Sequence, residues 1–247
     1  MAVKTGAQDH GGTPTTRPAG IAGILAALAL AGEFLFFSLS GFQQASFSDP
    51  ASAIAFLKDH GGLVRVAVAF GAAGVALTLL FLTGLAERLR SRAPLLSAAT
   101  LYFGIVGNVG DGLVALSFWI GIPIFVSLAG RESAAAQSAW PAFTVLTGGY
   151  QGFGNLFAGL SLLATGWAAV SQGALPRVLG AIALVAGVSA MASVLIANAQ
   201  ISFVLALLLV IVFRVWAGIE LYRGERPAGA RDQPAGQVSA ESPTAAE

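Results

Sequence analysis

Cysteine is absent, histidine and lysine occur twice each, and only 10% of the residues carry a charge. Without cysteine there can be no disulfide, thiolate metal site or cysteine nucleophile. So little charge could not cover a soluble domain. The 56% hydrophobic content and mean hydropathy of +0.78 point instead to an integral membrane protein. A net charge of +1 leaves no basic patch to follow a phosphate backbone, so nucleic acid is not an expected partner. The lipid bilayer is, and the residues leave open whether a second copy or another membrane protein joins it.

What the chain does have is long apolar runs. About 20 apolar residues cross the hydrocarbon core, and six segments qualify: 20–40, 64–86, 95–119, 141–170, 178–199 and 201–221. The expected fold class is all-α, an integral bundle of six transmembrane helices. The region 95–129 is too long for one crossing and too short for two. It reads as a span ending near Trp119, with Gly121 and Pro123 bending the rest along the outer face. The run 141–170 is also over-long and should tilt or project. The first outer loop, "SDPASAIAFLKDHGG", carries Ser48 or Asp49 as a helix cap, Pro50 at the first helical position and Gly61 at the end. It predicts a short helix lying on the outer surface.

Residues 1–19 and 224–247 are rich in small and turn-forming residues and are expected to be disordered tails around a six-helix domain at 20–223. No apolar stretch with a cleavage site precedes the first run, which reads as a retained anchor. Nine cationic residues lie in the tails and the second and fourth loops: Lys4, Arg17, Arg88, Arg90, Arg92, Arg177, Arg223, Arg226 and Arg231. Only Lys58, Arg65 and Arg131 lie opposite. The positive-inside bias predicts a multi-pass protein of the cell inner (plasma) membrane with both termini cytoplasmic.

Three features carry a family likeness: the Arg17-Pro18-Ala19-Gly20 approach to the first helix, the Asp49-Pro50 loop helix, and "TGWAAVSQGALPRVLGAIALVAGV", where Leu175-Pro176-Arg177 leads into a glycine-bearing helix. With these the chain resembles bacterial six-helix membrane proteins of domain-of-unknown-function family 4386, over roughly residues 17–223. The resemblance implies a six-helix membrane fold and supplies no catalytic residue.

The charges inside the runs are the candidate site. On a helix, Gly104, Gly107, Asn108, Asp111 and Ala115 share one face, with Tyr102, Ile105, Val109, Leu113, Leu116 and Ile120 opposite. The fourth run repeats the design, with Gly148, Gln151, Gly152, Asn155 and Gly159 on one side and Leu146, Tyr150, Phe153, Phe157 and Leu160 on the other. The two small faces are expected to meet in the bundle interior. Counting a rise of about 1.5 Å per residue, Glu33, Arg65 and Asp111 fall in one layer. The candidate cluster is thus Glu33, Arg65, Asn108, Asp111, Gln151 and Asn155, with Arg65 paired to Asp111. Arg214 reads as an anchor reaching the cytoplasmic interface, with Glu87 or Glu220 as a partner.

No catalytic, cofactor-binding or metal site is expected. "GNVGDG" at 107–112 resembles the Gly-x-Gly-Asp signature of intramembrane aspartyl proteases, but Asn108 holds the first glycine position and no second aspartate lies in any span. His10 and His60 fall in a tail and a loop, leaving no haem pair and no zinc motif. The leading expectation is a non-catalytic structural, sensory or interaction protein, in which the charges fix helix register. The alternative is a small transporter or channel-like protein, in which two carboxylates against one arginine leave one free to take a proton or cation.

Overall fold

The computed structural model describes residues 16–41, 49–196 and 200–224. The expected tails lie almost wholly outside these residues. Six helices follow one another: α1 (Thr16–Leu39), α2 (Pro50–Arg90), α3 (Pro94–Arg131), α4 (Ser133–Gln172), α5 (Arg177–Leu195) and α6 (Gln200–Arg223). All six are long and apolar enough to cross a membrane, and the chain is a multi-pass helical membrane protein. Each helix packs on the next and α6 returns to α1, closing a ring, while α2 also touches α4 and α6. Six alternating crossings put both chain ends at one end of the bundle, here the terminal face. Arg17, the arginines at 88–92, Arg177 and Arg223 cluster there. Arg92 Nη1 donates to the Gly173 carbonyl and so ties the α2–α3 turn to the α4–α5 turn. Gly173 ends α4 with φ +62°, a left-handed conformation that favours glycine.

Three helices outrun the membrane. The 41 residues of α2 extend about 62 Å at the α-helical rise, roughly twice the hydrocarbon thickness. Residues 50–61 are helical as expected, with Asp49 as N-cap and Pro50 in the first turn, but they do not form a separate surface element. The helix runs on through Gly61 and Gly62 because Ala53, Ile54, Leu57, Val64 and Val68 make one continuous stripe. That stripe buries against Ile122 and Phe125 of α3 and Ala136 and Trp140 of α4. The expected end of the third helix near Trp119 does not occur, for the same reason: α3 runs on through Gly121 and Pro123 to Arg131, and the Phe125 ring stands edge-on to Trp140 at 5.0 Å. The 40 residues of α4 likewise exceed the length of one straight crossing. A second apolar core lies toward the terminal face, where Phe81, Leu85 and Leu89 of α2 meet Leu179 of α5 and Phe213 and Leu221 of α6. Between the two cores α2 contributes Gly71, Gly74 and Thr78, and α3 contributes Gly104, Asn108 and Asp111. A polar layer is therefore held between two greasy ones.

The first turn of α2 offers a check. The Asp49 carboxylate accepts from the Ser52 hydroxyl at 2.5 Å and the Ser52 amide at 2.9 Å. These bonds favour its charged form, so its pKa lies below the ordinary aspartate value. A depressed folded pKa means the cap contributes fully above the unfolded value of about 3.9 and is lost as pH falls through the folded one. Hydrogen exchange of the Ser52 amide, corrected for its intrinsic rate, should therefore accelerate on acidification. In Asp49→Ala it should be fast at every pH, and unchanged protection in that variant would contradict the cap.

Candidate functional site: a charged layer inside the membrane

The direction of each helix decides where its charged side chains go. Every Cα–Cβ bond in an α-helix tilts toward that helix's N-terminus. α1 and α3 run away from the terminal face, so Glu33 and Asp111 tilt back toward it. α6 runs toward the terminal face, so Arg214 tilts away from it and into the bundle. The three act on one another without a direct ion pair: Arg214 interacts electrostatically with both Asp111 and Glu33, and the two carboxylates with each other. Their backbones do not sit level. A Cβ added at Gly23 would lie 3.3 Å from the Arg214 carbonyl, placing Arg214 beside Gly23 and about 15 Å along α1 from Glu33.

Two expectations are corrected here. Arg65 is not Asp111's partner. It belongs to α2, which also runs toward the terminal face, so its side chain tilts outward; its guanidinium lies over the Trp119 ring at 4.5 Å. That is a cation–π contact at the far end of the layer, roughly 12 Å beyond Asp111 along α3. Arg214, in turn, does not anchor at the interface, and Glu87 pairs with Arg90 at 3.7 Å instead. The two-to-one excess of carboxylate expected from the sequence survives, with a different arginine.

Glycine makes room for both acids. A Cβ at Gly71 would stand 2.9 Å from Glu33 Oε1, and one at Gly154 would stand 2.5 Å from Asp111 Oδ1. Asp111 Oδ1 is buried and has no hydrogen-bond partner among the described residues. Asn108 donates from Nδ2 to the Val75 carbonyl at 2.7 Å, linking α3 to α2. Gln151 and Asn155 bond weakly to each other at 3.4 Å along α4, and among the described residues no hydrogen bond links either to Glu33 or Asp111. Asp111, Asn108 and Arg214, with Thr78, Ser161 and Thr165, border a cavity of about 70 Å³ that extends from the charged layer toward the terminal-face core. That is room for several water molecules. Among the described residues no group of three His, Cys, Asp or Glu side chains could hold a metal ion.

The small faces of α3 and α4 do meet, but through other α4 residues than those expected. Gly107 and Gly110 lie against the backbone of Gly154 and Ala158, while Gly148 faces open space and Gly159 packs on Gly187 of α5. The apolar side of α3 is exposed throughout, as lipid contact requires: Tyr102, Ile105, Val109, Leu113, Leu116 and Ile120 all lie on the surface. Gly154 was missed because α4 divides its small residues between two neighbours, which a single-face reading merges.

With the geometry in place, the comparisons are brief. The family model described as "Domain of unknown function (DUF4386)" matches residues 19–221. The chain belongs to that family. No curated protein and no solved structure matches it. In this DUF4386 protein the matched stretch contains all three charges of the layer.

The Gly154 contact is directly testable. Gly→Ala within an exposed stretch of helix ordinarily gains a few tenths to 1 kcal/mol, and Gly148→Ala should do so. Gly154→Ala drives a methyl into Asp111 and the Gly107 carbonyl and should cost about 1–3 kcal/mol. Thermal unfolding in detergent should thus move the two variants in opposite directions. Equal shifts would mean that Asp111 does not rest on α4.

Proposed function

We propose that this protein is a small transporter or channel-like protein that couples a proton or small cation to its intramembrane carboxylates, with no catalytic role. The observation that carries this reading is Asp111 Oδ1, buried and without a hydrogen-bond partner beside a cavity. Its layer holds two carboxylates and one guanidinium. A cluster serving only to fix helix register would have closed on itself, since a buried charge is retained cheaply only when paired and hydrogen-bonded. Here the acid leaves one acceptor oxygen unpartnered against Gly154 while its side chain borders a space that can hold a guest, and intramembrane ionisable groups are the usual markers of ion pathways. The second reading is a structural, sensory or interaction protein. It draws support from the Asn108–Val75 bond, which sets the register of α3 on α2 without any guest.

The same reading places the protein in a bacterial inner membrane with both termini in the cytoplasm. The support is the arginine asymmetry, which the fold gathers at the terminal face, and the sequence resemblance to bacterial proteins.

The test is flux. Proteoliposomes containing the full chain and a trapped pH indicator should acidify under an imposed proton or cation gradient faster than protein-free vesicles. Asp111→Asn, which keeps the shape and loses the charge, should return the rate to the protein-free level. A wild-type rate equal to that of empty vesicles, or a fully active Asp111→Asn protein, would favour the structural reading instead.

A further inference from the structure

The cavity beside Asp111 is chemically one-sided. The Thr78 hydroxyl donates to the Gly74 carbonyl at 2.7 Å, Ser161 to the Thr100 carbonyl at 2.7 Å, and Thr165 to the Ser161 carbonyl at 2.9 Å. The Asn108 amide spends a donor on Val75. The three hydroxyl donors are committed to helix carbonyls and Asn108 keeps one amide N–H, while Thr165 Oγ1 also lies 3.1 Å from Thr100 Oγ1; the lining therefore offers mainly oxygen lone pairs, from three hydroxyls, an amide carbonyl and the Asp111 carboxylate. Arg214 is the one strong donor on the wall, and its charge is opposed by Asp111 and Glu33. An anion would meet acceptors on nearly every side. A guest that donates hydrogen bonds and carries positive charge would meet complementary ones.

The rest of the wall narrows the guest further. Phe81, Leu82, Leu85, Leu162, Val210 and Phe213 line it, so most of the surface is apolar. The acceptors are strung along α2, α3 and α4 over more than one helical turn; they do not ring a single point. A bare metal cation needs about six oxygens converging at 2–2.6 Å, which such a file does not supply. A volume of about 70 Å³ suits a guest on the order of five water-sized groups. We infer that this cavity is a binding site for a small primary ammonium ion with a short alkyl tail, its N–H groups on Asp111 and the neighbouring oxygens and its tail among Leu82, Leu85 and Phe213. This rests on the coupling function proposed above and names the guest of the same site.

The experiment uses the purified full chain in nanodiscs, with calorimetric titration at constant ionic strength by four probes: n-propylammonium, n-propanol, propionate and sodium. Saturable binding is expected for propylammonium alone. Asp111→Asn should weaken it by tenfold or more, and Thr165→Val, which removes one acceptor at nearly constant shape, by about tenfold, the loss of one charge-assisted hydrogen bond. Thr165→Val lies outside the charged layer and keeps the test decisive if the Asp111 variant fails to fold. Propionate binding as well as propylammonium would reveal an anion pocket on Arg214. Equal binding of propanol would reveal a merely apolar one, and absence of saturable binding by propylammonium would show that the cavity does not take this guest; each overturns the inference. Loss of vesicle flux in Asp111→Asn without any propylammonium binding would overturn this inference alone and leave the coupling function standing.

Discussion

The electrostatic interaction of the Arg214 guanidinium with the Asp111 and Glu33 carboxylates in a low-dielectric layer is the one on which the rest of this bundle depends. Charges that could be neglected in water become dominant once hydrocarbon surrounds them. The design spends much of its sequence on that layer. Gly71 and Gly154 remove the side chains that would otherwise occupy the acids' positions. Asn108 bridges to Val75 and so sets the depth at which α3 presents Asp111. The two apolar cores, around Trp140 on one side and Phe213 on the other, exclude solvent from above and below. Their aromatic packing makes the layer a fixed feature of the fold.

The ring of helices adds a second constraint. α4 and α5 approach closely enough that a Cβ at Gly187 would lie 2.7 Å from the Gly159 carbonyl, and one at Gly166 would lie 2.7 Å from the Gly180 carbonyl. α1 and α6 do the same through Gly20 and Gly218, where a Cβ at Gly20 would meet the Gly218 carbonyl at 2.5 Å. In lipid, where apolar side chains gain little by leaving the solvent, such backbone contacts supply much of the attraction between helices. They also keep α6, and with it Arg214, seated against α1. A cavity walled by helices packed this tightly changes volume only if a helix shifts as a body. Any gating of access to Asp111 is thereby tied to rigid-body motion of helices.

Much of this was legible in the residues, and the failures share physical causes. The number of spans, the lipid face of α3 and the excess of carboxylate follow from hydropathy and helical period alone. The choice of arginine does not. Counting residues from each membrane edge put Arg65 level with Asp111 because the count located Cα atoms and ignored the tilt of side chains toward each helix's N-terminus. The same tilt turns Arg65 outward to Trp119 and Arg214 inward to the acids. The charge in "VIVFRVWAG" of α6, read with the direction of that helix, was the available signal. Similarly, Gly61-Gly62 reads locally as a helix stop. The Leu57, Val64 and Val68 stripe overrides it once Trp140 is present to cover that stripe, and α4 supplies Trp140 from a distance in sequence that no local pattern reports.

The central claim is that Asp111 is energetically coupled to Arg214 and not to Arg65. A complete double-mutant cycle on thermal stability in nanodiscs tests it, using Arg214→Met, Asp111→Leu and the pair, with Arg65→Met in a parallel cycle. Removing either charge leaves the other less compensated in a low-dielectric layer and should destabilise the protein. The Arg214–Asp111 double variant should recover about 1–3 kcal/mol of the summed losses, while Arg65 and Asp111 should be additive to within about 0.5 kcal/mol. Additivity between Arg214 and Asp111, or coupling that appears with Arg65 instead, would contradict the charged layer described here.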